Sequence, residues 1–284
     1  PGMGFKGKLP CIIIILFTAG CVPRRIIVDH PQLISTYYFE KQIASFREKD
    51  SLTHPERRKL LKLEVKFAYG FILEEADRLF AEDYHQGLER AGDAYSLLKD
   101  AIEIGTVILT EKYPEFELWL SEKDYKIKFE HDNIYELYWL AAAYGGAIRA
   151  SRGNPFELIQ LPRVGKLLKA ALRLDAGWNH GALYSAMISY TATRSDLVGD
   201  ALIDSVNKYY ELAVSSSDSM DAGPFVSFAE NIDKKFQHKS EFIRKLEYVS
   251  GMNVNQDQDL RLGNIIAQER AKWLLTKTDE YFFE

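Results

Sequence analysis

From about residue 31 onward this chain repeats its apolar side chains every three to four positions and almost never alternates them, so it can bury them only by stacking helix on helix. Strand candidates with clean period-two patterning are few. The stretch from Asn133 to Ser151 shows the pattern most strongly. Ile134, Leu137, Tyr138, Ala141, Gly145 and Ile148 form one stripe, and Trp139, Leu140 and Tyr144 cover much of the remaining surface. A helix apolar on so many sides is central and buried. Gly153-Asn154-Pro155 ends it, with residues that accept a left-handed turn and cannot continue the ladder.

The segments that follow read as helix pairs. Gln160 to Leu174 is a helix closing on Ala-Leu-Arg-Leu-Asp-Ala, which is similar to the end of a tetratricopeptide repeat, with Ala176 where that repeat usually has proline. A helix from Asn179 to Thr193 and a partner from Gly199 to Val214 come next. In the partner, Leu202, Val206, Tyr209 and Ala213 share one face, and Val206, Tyr210 and Ala213 keep the small-aromatic-alanine spacing of the repeat's second helix. An earlier pair, Pro55 to Phe80 and Asp83 to Leu109, carries Gly87, Ala91 and Ala94 as its small residues. The step from Leu140 to Leu183 exceeds the standard period of about 34 residues, so the reading is an all-α, tetratricopeptide-like array of degenerate repeats with inserted linkers.

The amino terminus has a different character. Lys6 and Lys8 precede a short apolar run from Cys11 to Phe17, and Thr18-Ala19-Gly20-Cys21 has the form of a bacterial lipobox, with Met3 as the expected start. The run is too short to span a bilayer. The sequence therefore predicts a lipoprotein signal over 1–20, an acylated Cys21 with a basic tether over 21–30, and one helical domain over 31–284. Cys11 and Cys21 are the only cysteines, so the body of the chain has neither a disulfide nor a thiolate metal site.

Composition and motifs narrow the function. A net charge of −5 leaves no basic surplus for nucleic acid. There is no GxSxG elbow, HExxH, P-loop or GxGxxG, and the six histidines never form a close pair, so no catalytic residue, cofactor or metal is expected. Asn253, Asn255, Asp257 and Asp259 alternate as in a calcium loop, but the sixth position is Gln258 and the twelfth is Asn264, where Gly and Glu are needed. Asp257 or Asp259 is instead expected to cap the last helix, Leu260 to Lys277. On that helix Glu269 falls among Leu262, Ile265, Ile266 and Trp273. A carboxylate there either pairs with an arginine of a neighbouring helix or faces a polar channel.

Tyr138, Trp139 and Tyr144, and later Trp178, Tyr184 and Tyr190, exceed what the apolar stripes require. They either fill the core between helices or line an apolar ligand channel.

Three strings, IYELYWLAAAYGGAI, AGPFVSFAENI and RLGNIIAQERAKWLL, resemble in order and separation the T-component family of TRAP transporters, TatT. The resemblance runs from about Lys59 to Phe283. It implies a non-enzymatic periplasmic lipoprotein of tetratricopeptide-like fold, held at a membrane by its lipid alone. It also implies a homotrimer that binds the substrate-binding P component and assists in handling an apolar or organic-acid ligand. Two other classes fit a helical chain of this kind: a general periplasmic scaffold, and an α/α-toroid carbohydrate enzyme using a carboxylate pair such as Glu136 and Asp175.

Overall fold

The computed structural model describes residues 31–122 and 125–283. The lipobox, Cys21 and the tether lie outside them. Among the described residues there is no strand, and the helices follow one another as an all-α repeat array.

The described residues begin with α1 (Pro31–Arg47) and α2 (His54–Phe67). Thr53 starts α2 with a capping box, its backbone N–H donating to Glu56 Oε2 at 2.9 Å, and Pro55 fills the first turn. The single helix expected from Pro55 to Phe80 is in fact α2, a π turn at Ala68–Ile72 and α3 (Leu73–Glu82). The extra residue of the π turn lies outside any 3.6-residue template, so periodicity could not find it. Asp83 then leaves the helix at φ −143° and accepts hydrogen bonds from the backbone N–H of His85 and Gln86, which caps α4 (Tyr84–Lys112) and reverses the chain.

After α5 (Phe116–Ser121) and a 3₁₀ turn at His131–Asn133 comes α6 (Ile134–Ala150), packed between α4 and the later α8 (Leu161–Leu174), with α7 (Pro155–Leu158) in between. The expectation of a central buried helix holds. Leu137, Leu140, Ala143 and Ala147 of α6 are fully enclosed with Leu61, Leu98 and Leu167.

Next, α9 (Trp178–Thr193) packs along α10 (Gly199–Ser216). Its opening departs from the regular helix expected there: Asn179, His180 and Gly181 take left-handed φ values of 49°, 57° and 80°. A short α11 (Gly223–Phe228) runs into a second π turn, Ala229–Asp233. The array closes with α12 (Lys239–Gly251), α13 (Arg261–Thr276) and α14 (Thr278–Tyr281). Neither Asp257 nor Asp259 caps α13. Asp257 Oδ1 accepts from the Asp259 N–H at 2.8 Å, and Leu260 stands at the helix start without a side-chain cap.

Glycine sets how closely α6 meets its neighbours. A Cβ at Gly146 would lie 2.6 Å from Tyr69 Cε2 and 2.8 Å from Leu98 Cδ2, whereas one at Gly92 on α4 would meet nothing within 4 Å. Gly146→Ala should therefore lose about 1–3 kcal/mol by overpacking. Gly92→Ala should gain roughly 0.5–1 kcal/mol from helix propensity alone. Urea unfolding of the two variants measures both signs.

Candidate functional site

A cavity of about 740 Å³ lies between α2, the first π turn, α3, α6, α8, α9, α11 and α13. Both π turns contribute to its wall, the first with Tyr69, Gly70 and Phe71, the second with Glu230 and Asn231. A π turn widens the helix and shifts every following side chain round the axis, which suits a helix that must stop packing and start lining a space. Small residues hold that space open: Ala141, Ala142 and Gly145 line it from α6. At Gly70 the opposing helix comes so close that a Cβ would touch Ile266 Cδ1 at 2.9 Å.

The wall is mostly apolar with two polar regions. One is a hydroxyl and amide strip in which Ser189 Oγ lies 2.9 Å from Ser227 Oγ and Asn231 Nδ2 donates to Ser227 O at 2.8 Å. The other is a network of charges centred on the buried Arg270. Arg270 Nη1 is 3.0 Å from Asp77 Oδ2 and 3.4 Å from Glu74 Oε2, and its Nη2 is 2.5 Å from Glu230 Oε1. Arg149 Nη2 adds a contact of 2.7 Å to Asp77 Oδ2, and Arg152 Nη1 one of 3.3 Å to Asp77 Oδ1.

Burial alone would raise the Asp77 carboxyl, but Arg149, Arg270 and Arg152 together hold it below the ordinary value of 3.8. Burial would likewise weaken the charge on Arg270, and Glu230 and Glu74 outweigh it, so the guanidinium stays protonated. The phenols of Tyr69 and Tyr138 are pushed upward by burial and remain neutral donors at physiological pH.

Of the aromatic candidates, Tyr138, Trp139 and Tyr190 line the cavity. The indole N–H of Trp139 is buried without an acceptor, and the ammonium groups of Lys62 and Lys66 sit 5.8 and 5.9 Å from its ring centroid. The other three are placed elsewhere. Tyr144 is core and accepts from Arg163 Nη1 at 3.2 Å, Trp178 packs behind Tyr138 with centroids 5.0 Å apart, and Tyr184 packs against the Ile188, Leu202 and Phe228 cluster.

Glu269 faces outward with its side chain half exposed, and its partner is Lys272 of its own helix at 2.7 Å, not an arginine of a neighbour. The buried stripe of α13 runs through Ala267, Arg270, Ala271 and Leu274, so the charge that goes inside is one residue further on. Periodicity assigns charges to solvent, which is why Glu74, Asp77, Glu230 and Arg270 were not found. The spacing of Glu74 and Asp77 beside buried Leu73 and Ala76 was the available signal.

Two other groups stand outside the cavity. Glu136 is buried against Arg58 at 2.5 Å and Asp175 lies 3.6 Å from His131, and neither lines the cavity, so they are not a carboxylate pair across one cleft. Asp257 and Asp259 are joined by His180, and their ligand atoms lie within 4.8 Å of one another. Sequence spacing missed this juxtaposition because His180 comes from a distant helix.

The family model for TRAP transporter T-components matches residues 54–282. The chain belongs to this family. No curated protein matches closely enough to extend that finding. The matched region holds both π turns and every member of the Arg270 network, and it identifies the T component as an accessory part of a transporter. Among the described residues no helix is long and apolar enough to cross a membrane.

Because Arg270 is nearly enclosed, replacing it removes the guanidinium that Glu230 contacts and takes one cation from Glu74 and Asp77, which keep Arg149. Arg270→Met should cost about 3–5 kcal/mol at pH 7. Asp77 has a depressed pKa in the folded state, so its contribution is present above pH 3.8 and is lost as pH falls through the folded value. The deficit of the variant should accordingly be largest near neutrality and narrow below about pH 4, as read from urea midpoints across pH.

Proposed function

We propose that this T component is a non-enzymatic periplasmic lipoprotein, tethered through an acylated Cys21, that docks the substrate-binding P component of a TRAP transporter and assists in handling its ligand. The cavity carries the ligand half of this reading. Its walls are mostly apolar, with Lys66 beside Trp139 and the Arg149 and Arg270 network, which pairs with Glu74, Asp77 and Glu230, at one side, so an apolar organic acid can bury its chain while its carboxylate meets polar groups. Tyr138, Trp139 and Tyr190 are the aromatic lining residues assigned to the ligand, with the unpaired Trp139 N–H as a donor.

Partner binding follows the logic of helical arrays, whose stacked pairs present extended faces to other proteins. The assembly proposed is a homotrimer with one P component per subunit. The test is sedimentation of the Cys21→Ser protein with the solute-binding protein encoded beside it. A one-to-one complex per subunit is expected at tens of micromolar in low salt, weakening as salt rises. Absence of a complex under those conditions would replace this reading with a general envelope scaffold.

A further inference from the structure

The short helix α7 and the residue after it are turned inside out. Glu157 is buried, while Phe156 is 78% exposed, Ile159 69% and Leu158 41%. The Glu157 carboxylate accepts from the Tyr95 hydroxyl at 2.6 Å and from the Lys99 ammonium at 3.2 Å. The Asn154 side chain accepts from the Phe156 N–H at 2.9 Å, and Pro155 occupies the first turn. The chain enters this turn through Arg152 and Gly153, both with positive φ, of 52° and 93°. Polar contacts thus fix the turn and hold its apolar side chains in water, the reverse of what burial alone selects. An apolar cluster presented in this way marks a contact surface.

The surroundings are basic. Between Arg149 and Leu174 the sequence has six lysines and arginines and one acid, Glu157, although the whole chain is at −5; of these cations Arg149 and Arg152 pair with Asp77, and the cleft beside the tip also holds Asp196, paired with Arg194. Glu157 is already paired with Lys99. Helix α8 turns Val164, Leu167, Leu168 and Ala171 inward and leaves Lys169 and Arg173 exposed, one helical turn apart. Lys169 shares a shallow cleft with Leu158, Ile159 and Pro162, directly beside the apolar tip.

We propose that this tip docks on an anionic lipid surface. Phe156, Leu158 and Ile159 enter the headgroup layer, while Lys169 and Arg173 meet the lipid charges. Apolar points beside cations supply buried area and charge without a directional hydrogen-bond pattern, which suits a fluid anionic interface. A second copy meeting the same face would set cation against cation. Leu161 and Tyr190 line both the cleft beneath the tip and the central cavity, so docking brings the edge of the cavity to the lipid surface. The inference does not depend on binding of the P component.

The test uses the mature chain from residue 21 with Cys21→Ser, which forms no lipid anchor and keeps every described helix. It is sedimented with phosphatidylcholine vesicles and with vesicles containing equal parts of phosphatidylglycerol, in low and high salt. Binding is expected only to the anionic vesicles and only in low salt. Phe156→Ser with Ile159→Ser, and separately Lys169→Glu with Arg173→Glu, should each reduce it by about tenfold. Circular dichroism and Tm should stay unchanged, because these side chains are exposed. No binding by the parent protein, or equal binding by both variants, would overturn the proposal. So would variants that keep vesicle binding but lose self-association or the complex with the solute-binding protein, which would assign the tip to a protein contact.

Discussion

Arg270 on α13 reaches back to Glu74 and Asp77 on α3, and the arrangement of the array depends on that reach. Without it the helix pairs could stack outward, each touching only its neighbours, as in an open solenoid. With it, α13 is fixed against α3 and the space between them becomes a partly open cavity. A buried guanidinium is costly to desolvate, and that cost is offset only when its carboxylates are all in place. Glu230 supplies the third of them from the second π turn, so the network also fixes the helix that enters from α11. The physical consequence is positional: four elements distant in sequence are set relative to one another by hydrogen-bond lengths, where apolar contact alone would tolerate sliding.

The glycines and the π turns complete what the ions begin. Gly146 lets Tyr69 and Leu98 approach the α6 backbone, and Gly70 lets α13 approach the first π turn. Once the backbones are this close, cavity shape is decided by which side chains the π turns rotate inward, namely Tyr69 and Phe71 from one and Glu230 and Asn231 from the other. The neutral phenols of Tyr69 and Tyr138 then offer hydrogen bonds without adding charge to an apolar wall.

How much of this was legible in the sequence depends on how local the determining signal is. Helices α6, α8 and α10 were readable to within a few residues, since their apolar stripes and end signals lie within the helix itself. The π turns, the left-handed run Asn179 to Gly181, and the exposed tip at Phe156 were not, because none of them follows the 3.6-residue apolar period. Tyr138, Trp139 and Tyr190 line the cavity, while Tyr144 and Trp178 stand behind them, a division that aromatic content alone could not make. The error at Glu269 is instructive in the same way. A wheel drawn on the most apolar residues points the carboxylate inward, but the stripe that packs is offset so that Arg270 goes in and Glu269 stays out.

The central proposal is that the space bounded by the Arg270 network holds an apolar organic acid. It is tested most directly by titrating the protein with a fluorescent polyene fatty acid and comparing the parent chain with Ala142→Trp, which fills the cavity from α6. The account predicts one saturable site per chain in the parent, and loss of that site in a variant with unaltered circular dichroism. Saturable binding of equal affinity in both proteins, or none in the parent, would contradict it.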